Sequence, residues 1–169
     1  MIRKIALSVS GVLVVFLLYV STRESKFDYS VTRQMKAPVE TVFPYLSQIR
    51  LGSEWSPFEK ADPNMKKDYD GNRLMFEGNR EVGAGSVEIT KVVPNQQVDL
   101  ILKMTEPFKA ENQIYYTVKP VDGGTQFTWR MTGDGGFIMK LMSIFMDCEK
   151  MITDQFNKGM DNLQQIVEK

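Results

Sequence analysis

The stretch "TQFTWRMTGDGGFIMKLMSIFMDCEKMI", Thr125 to Ile152, contains the change of hydrophobic period that decides the fold. Up to Met131 the apolar side chains recur every second residue, which is typical of a half-buried strand. After the glycine-rich "GDGG" they recur every three to four residues, and this stripe runs from Ile138 to Val167. The sequence therefore predicts a strand followed by one long amphipathic carboxy-terminal helix.

The segment before this stretch has mostly the two-residue period from Lys66 onward. "NRLMFEGN" indicates a short strand, and "GSVEITKVV" and "VDLILKM" flank the turn "PNQQ" as in a hairpin. "KAENQIYYTVK" follows, with Asn112 on the same face as Ile114 and Tyr116, and "VDGG" then turns the chain into "TQFTWRM". Short turns between consecutive strands predict an antiparallel meander within an α+β domain.

Two further elements precede the meander. "FDYSVTRQM" alternates as a half-buried strand, and "APVETVFPYLSQI" indicates one or two short helices, because Pro44 would kink or end a longer one. Between them and the meander lies "EWSPFEKADPNMKKDYDG", a loop rich in charges and turn formers. Its Trp55 and Phe58 form either the wall or lid of a cavity, or an aromatic plug at the edge of the core.

The amino terminus differs from the rest, because "IALSVSGVLVVFLLYV", residues 5–20, carries no charge. A helix of this length covers roughly 24 Å, a little short of a hydrocarbon core of about 30 Å, and snorkelling of flanking basic side chains could extend it. We expect residues 1–20 to be an uncleaved single-pass membrane anchor, with a cleaved signal sequence as the alternative. A linker over residues 21–26 would lead to one domain over residues 27–169, placed outside the cytoplasm by the basic residues before the span.

Composition excludes several kinds of chemistry. The chain has no histidine, which removes histidine bases, Ser-His-Asp and Cys-His nucleophile systems, and histidine-containing metal sites. Its one cysteine, Cys148, excludes an intramolecular disulfide and lies on the apolar stripe of the last helix, so it is assigned to the core. "DYDGN" fails the calcium-loop pattern and "GNREVGAGS" lacks a phosphate-loop pattern, so neither a metal nor a cofactor is expected.

The charge balance argues against nucleic acid as a partner. Beyond the first twenty residues the chain has 19 basic and 21 acidic residues. A general nucleic-acid binder needs an excess of basic charge on one face.

In series, several segments resemble the START-like, helix-grip superfamily, and more narrowly the bacterial polyketide cyclase/dehydrase and lipid-transport group (SRPBCC). They are "APVETVFPYL", "WSPFEK" with "DPNMK", "FEGNREVGAGSVEIT", "PFKAENQ", "DGGTQFTWRMTG" and "FIMKLMSIFMDCEKMI", in the expected order between Tyr29 and Val167. The resemblance implies a curved antiparallel sheet wrapped around the long helix, with an apolar cavity between them. It does not imply one activity.

The expected function is a membrane-anchored binding module that holds a hydrophobic small molecule or lipid. The candidate ligand-binding residues are apolar or aromatic side chains with a few polar ones that would orient the ligand. They are Trp55, Phe58, Glu77, Asn79, Met104, Phe108, Asn112, Tyr116, Met131, Met142, Phe145 and Met146.

Two alternatives remain open. One is a cyclase or dehydratase in which a cavity carboxylate, Glu77 or Glu88, acts as acid or base with the help of Tyr116. The other is an interaction domain whose cavity is filled by its own side chains.

Overall fold

The computed structural model describes the backbone of residues 2–169 and the side chains of residues 10–169. The elements follow the chain in the order α1 (Ile2–Ser21), β1 (Lys26–Met35), α2 (Val39–Ser47), α3 (Ile49–Trp55), α4 (Pro57–Ala61), β2 (Lys66–Asp70), β3 (Arg73–Glu77), β4 (Ala84–Val93), β5 (Gln97–Glu106), β6 (Ala110–Val121), β7 (Gly124–Asp134), α5 (Gly136–Phe145) and α6 (Cys148–Val167).

The strands form one antiparallel sheet in the spatial order β1-β7-β6-β5-β4-β3-β2. Strands β2 to β7 are joined to their sequence neighbours, which confirms the predicted meander, and β1 adds to its far edge beside β7. Irregular register between β4 and β5, at Ala84/Gly85 and between Ile89 and Lys91, bends this part of the sheet. The resulting curved sheet with a carboxy-terminal helix matches the expected α+β, helix-grip arrangement.

The core lies where α2 and α6 pack against the β1–β7–β6 side of the sheet. The alternation in β7 points Phe127, Trp129 and Met131 inward, and all three are buried. Met160 and Leu163 of α6 are fully buried against this side of the sheet. Their burial follows directly from the two periods seen in the sequence, so this half of the molecule is built as predicted.

The carboxy-terminal stripe is divided between two helices, which corrects the prediction of one long helix. The break lies at Met146, whose backbone is extended, and Asp147, whose side chain accepts a hydrogen bond from Lys150 N at 2.9 Å. An aspartate that caps the first backbone N–H groups in this way begins a new helix. As a result α6 alone fills the core, whereas Phe145 at the end of α5 is 72% exposed.

The amino-terminal anchor is a second correction. In the part of the chain that the structure describes, no helix has both the length and the apolar character needed to cross a membrane. The charge-free segment is short for a bilayer, as its length of roughly 24 Å already indicated. The end of α1 lies against the domain, since Val20 is buried and Lys140 Nζ donates to Ser21 O at 3.0 Å. The predicted single-pass anchor is therefore wrong, and the extracytoplasmic placement loses its basis.

Candidate functional site

A cavity of about 320 Å³ lies between the short helices α3 and α4 and the concave face of β3, β4 and β5. Most of its wall is apolar, and the residues come from strands that alternate inward and outward. The apolar lining side chains of the sheet are Leu74, Phe76, Val87, Ile89, Leu100, Leu102, Met104 and Ile114. A cavity is thus present, contrary to the alternative in which the protein's own side chains fill the interior.

The register of β4 and β5 determines which side chains form the centre of the cavity wall. Val87 and Leu102 are directly opposite each other across the two strands, and both line the cavity. Directly opposite side chains on one face of an antiparallel pair are about 5 Å apart at Cβ, so these two share one patch of wall. The patch is only half-buried, unlike the fully buried side chains of the core near α6.

Trp55, at the end of α3, forms the opposite wall together with aromatic side chains of the sheet. Its ring lies 5.2 Å from that of Trp129 and 5.7 Å from that of Tyr116 between centroids, both in tilted or edge-to-face geometry. Its indole Nε1 donates to Tyr45 O at 2.8 Å, and its carbonyl accepts from the buried Asn162 Nδ2 at 3.1 Å. The tryptophan is therefore fixed at both ends, and only 2% of it is exposed.

A glycine in α6 permits this arrangement. A Cβ atom at Gly159 would lie 2.8 Å from Trp129 Cζ3 and 3.3 Å from Trp55 Cζ3. Helix interiors usually avoid glycine because it lowers helix stability. Here the missing side chain lets α6 approach both rings of the cavity wall.

Polar groups are concentrated at one rim of the cavity, between α3, α4 and the edge strand β2. Glu59 Oε2 accepts a hydrogen bond from Lys67 Nζ at 2.5 Å, and this contact raises the pKa of Lys67. Ser53 Oγ and Tyr69 Oη are 2.7 Å apart, and Arg50 lies over the Tyr69 ring. The rim thus combines a charge pair with hydroxyl groups beside an apolar interior.

Two buried polar atoms of cavity-lining residues lack partners. Glu59 Oε1 and Trp129 Nε1 are buried and make no hydrogen bond to any of the described residues. An unsatisfied buried donor or acceptor costs about 1–3 kcal/mol, so native proteins contain few of them. Two residues that line this cavity, Glu59 and Trp129, thus each carry one buried polar atom without a partner among the described residues.

Four of the twelve residues predicted to bind a ligand line the cavity: Trp55, Phe58, Met104 and Tyr116. Phe58 is 41% exposed and stands where the cavity meets solvent, which agrees with the wall-or-lid interpretation of its segment. That segment is helical in α3 and α4 and then enters β2, so it is more regular than the predicted loop.

Other predicted residues lie elsewhere. Met131 is buried in the core, and Asn112 is buried as expected, but beside Gly133 and outside the cavity lining. Phe108 and Phe145 are exposed. Met142 in α5 and Met146 after it do not line the cavity either, because the break in the helix turns this region away from it.

The predicted carboxylates occupy the outer surface. The Glu77 side chain is 67% exposed and pairs with Lys66 at 3.2 Å across β2 and β3, and Glu88 is also exposed. Alternation along a strand decides this placement, since the inward residue of the pair Phe76–Glu77 is the phenylalanine. The acid–base arrangement expected of a cyclase or dehydratase is therefore not assembled around Glu77.

Asn79 does not line the cavity, but its hydrogen bonds hold a loop that does. Its Oδ1 accepts from Glu81 N at 2.9 Å and from Val82 N at 3.1 Å, while its own N donates to Asp62 Oδ2 at 2.6 Å. These bonds tie the β3–β4 loop to the end of α4. The loop in turn holds the buried Val82 in the cavity wall.

Burial raises the pKa of Tyr116 well above its ordinary value, so its phenol is neutral at physiological pH. Below a pH of about 10, the pKa of tyrosine in the unfolded chain, the phenol is protonated in both states and stability is at its full value. As the pH rises further, the unfolded state ionises first, so the free energy of unfolding falls. We therefore expect Tyr116→Phe to lose less stability than the wild type between pH 9 and pH 11, by about 1 kcal/mol. Urea unfolding at both pH values measures the difference, and equal losses in the two proteins would contradict the burial of this hydroxyl.

The fold and the cavity define the class of protein: a helix-grip protein with an apolar cavity between its short helices and its sheet. The model of the family described as "Polyketide cyclase / dehydrase and lipid transport" matches residues 26–168. The chain belongs to this family, which confirms the resemblance seen in its sequence.

Solved structures share the fold at low sequence identity. The protein MLL2253 from Mesorhizobium loti is 19% identical, with a TM-score of 0.63 over 84% of this chain and 97% of its own. An uncharacterized protein from Rhizobium leguminosarum is 17% identical, with a TM-score of 0.61 over 85% and 95% of the two chains. At these identities the likeness shows the fold alone. The comparison with curated proteins gives no match.

Proposed function

We propose that this protein is a binding module that holds a hydrophobic small molecule or lipid in the cavity between α3, α4 and the curved sheet. The cavity itself carries the proposal. Protein cores are packed to crystal-like density, whereas here an apolar space of about 320 Å³ remains between the helices and the sheet, and it meets solvent beside Phe58. Its volume falls within the range of ligand pockets, about 300–1,000 Å³.

The lining supports an apolar ligand. Side chains such as Leu100, Leu102 and Ile114 offer no hydrogen bonds, so binding would come from the removal of apolar surface from water. Met104 adds an adaptable side chain, which suits a ligand of variable shape. The family description, which includes lipid transport, agrees with this chemistry.

Native mass spectrometry of the full chain, purified without detergent, tests the proposal. We expect the folded protein to carry a small apolar molecule that is released under denaturing conditions, because a vacant apolar cavity gains stability from any ligand that fits it. Extraction of that molecule should lower the melting temperature, and its return should restore it. A protein that is repeatedly free of any adduct, and whose melting temperature does not respond to apolar compounds, would contradict the proposed function.

A further inference from the structure

Two charged side chains among the described residues line this cavity, Glu59 and Glu81, and of these Glu59 is the one that is mostly withdrawn from solvent. Its side chain is 15% exposed, and its two oxygens have different surroundings. Oε2 is satisfied by Lys67, whereas Oε1 is buried without a partner among the residues that the structure describes. A buried acceptor in this state is stabilised by any hydrogen-bond donor that reaches it.

We propose that Glu59 is the polar anchor of the cavity, and that its Oε1 accepts a hydrogen bond from the hydroxyl group of a neutral amphiphile. The apolar body of the ligand would lie along β4 and β5, with its hydroxyl at the rim formed by α4 and β2. This inference rests on the proposed function and specifies the ligand class of the same site.

Charge favours a neutral ligand over an ionic one. Lys67 already balances the charge of Glu59 within the rim, so a cationic head group would bring an unbalanced positive charge out of water. An anionic head group, such as the carboxylate of a fatty acid, would face the like charge of Glu59. A hydroxyl donates to Oε1 without either cost, because it carries no charge.

The volume of the cavity limits the size of the ligand. An apolar cavity of about 150 Å³ holds one benzene molecule, with its six carbon atoms. The cavity here is about twice as large, so it has room for about a dozen non-hydrogen atoms. A ten-carbon chain with one head-group atom therefore matches the available space.

The test compares 1-decanol with decyl methyl ether, decanoic acid and decylamine. The only two tryptophans of the chain, Trp55 and Trp129, both line the cavity, so intrinsic fluorescence reports on its occupancy. We expect the wild-type protein to bind 1-decanol about 10- to 100-fold more tightly than the ether, because only the alcohol donates a hydrogen bond to the carboxylate. The acid and the amine should also bind more weakly than the alcohol.

Glu59→Met removes the acceptor while it keeps a side chain of similar length. This variant should bind 1-decanol and the ether with equal affinity, whereas Glu59→Gln, which keeps a carbonyl acceptor, should retain part of the preference. Glu88→Met is the matched control, because Glu88 is an exposed glutamate on the outer surface and does not line the cavity.

Two outcomes would overturn the anchor while the binding function stands: equal affinity of the wild type for alcohol and ether, or tighter binding of decylamine than of 1-decanol. The ether comparison needs only the wild-type protein, so it decides the question even where a variant fails to fold. If none of the four compounds binds, the proposed function fails, and the anchor fails with it.

Discussion

The double variant Val87→Phe/Leu102→Phe is expected to bind apolar ligands at least 100-fold more weakly than the wild type and to remain folded. The two side chains are directly opposite each other in the middle of the cavity wall, so two phenyl rings would occupy the space of a ligand. Burial of about 0.8 kcal/mol per methylene supplies the binding energy, and a ligand excluded from half of the cavity loses several such contributions. Titration of intrinsic fluorescence with 1-decanol measures the effect.

The stability of the same variant separates a true cavity from a packed core. Extra bulk in a well-packed core costs typically 1–3 kcal/mol, whereas bulk placed in a vacant space gains apolar burial. We therefore expect an unchanged or raised melting temperature. Val92→Phe is the control, since it adds a phenyl ring to the same strand at a position that is 43% exposed. Strong destabilisation of the double variant, with ligand binding retained, would show that the apolar space is not where the ligand lies.

Trp55→Ala is expected to lower the free energy of unfolding by about 3–5 kcal/mol, which is typical of a buried tryptophan. The side chain is 2% exposed and joins the aromatic cluster with Tyr116 and Trp129, so its loss leaves a void that merges with the cavity. Domains of this kind have a total stability of about 5–15 kcal/mol, so the variant would be marginal at 37 °C. Urea unfolding followed by circular dichroism measures the change.

Two comparisons make this second prediction specific. Trp55→Phe keeps an aromatic ring but loses the hydrogen bond to Tyr45 O, so it should cost less than half as much as the alanine variant. Phe108→Ala removes an aromatic side chain that is 54% exposed and should change stability by about 0.5 kcal/mol or less. If Trp55→Ala were as mild as Phe108→Ala, the tryptophan would be a lid over the cavity and not part of its wall.

Most of the fold could be predicted from periodicity. The alternation in β6 and β7 identified the faces that are buried, including Tyr116, Phe127 and Trp129. The break between α5 and α6 was missed because the apolar stripe continues through it, and an aspartate in a helical pattern can be either a surface residue or a cap. Edge strand β2 was missed because its residues, mostly charged, have no apolar alternation.

The site was harder to predict, because a cavity is a space that the side chains of elements distant in sequence leave unfilled, and such a space has no pattern in the sequence. Alternation along β4 and β5 places Val87, Leu100 and Leu102 on the inward face, but alternation alone does not distinguish a packed face from one that borders a vacant space. Glu59 gave no signal, since a charged residue in a short polar segment is usually exposed. Its burial depends on α4 lying over the rim and on Lys67 of β2 being within reach, and only the tertiary structure brings these together.

One side of the domain is closely packed and the other contains the cavity, and this division has a practical consequence. Phe127, Met160 and Leu163 are fully buried in the half around β1, β7 and α6, whereas the half-buried Val87 and Leu102 belong to the other. Substitutions at sites without shared partners have nearly additive effects on stability. The wall on β4 and β5 could thus be redesigned for new ligands while the other half keeps the chain folded, and the two tryptophans would already serve as an optical readout for a biosensor.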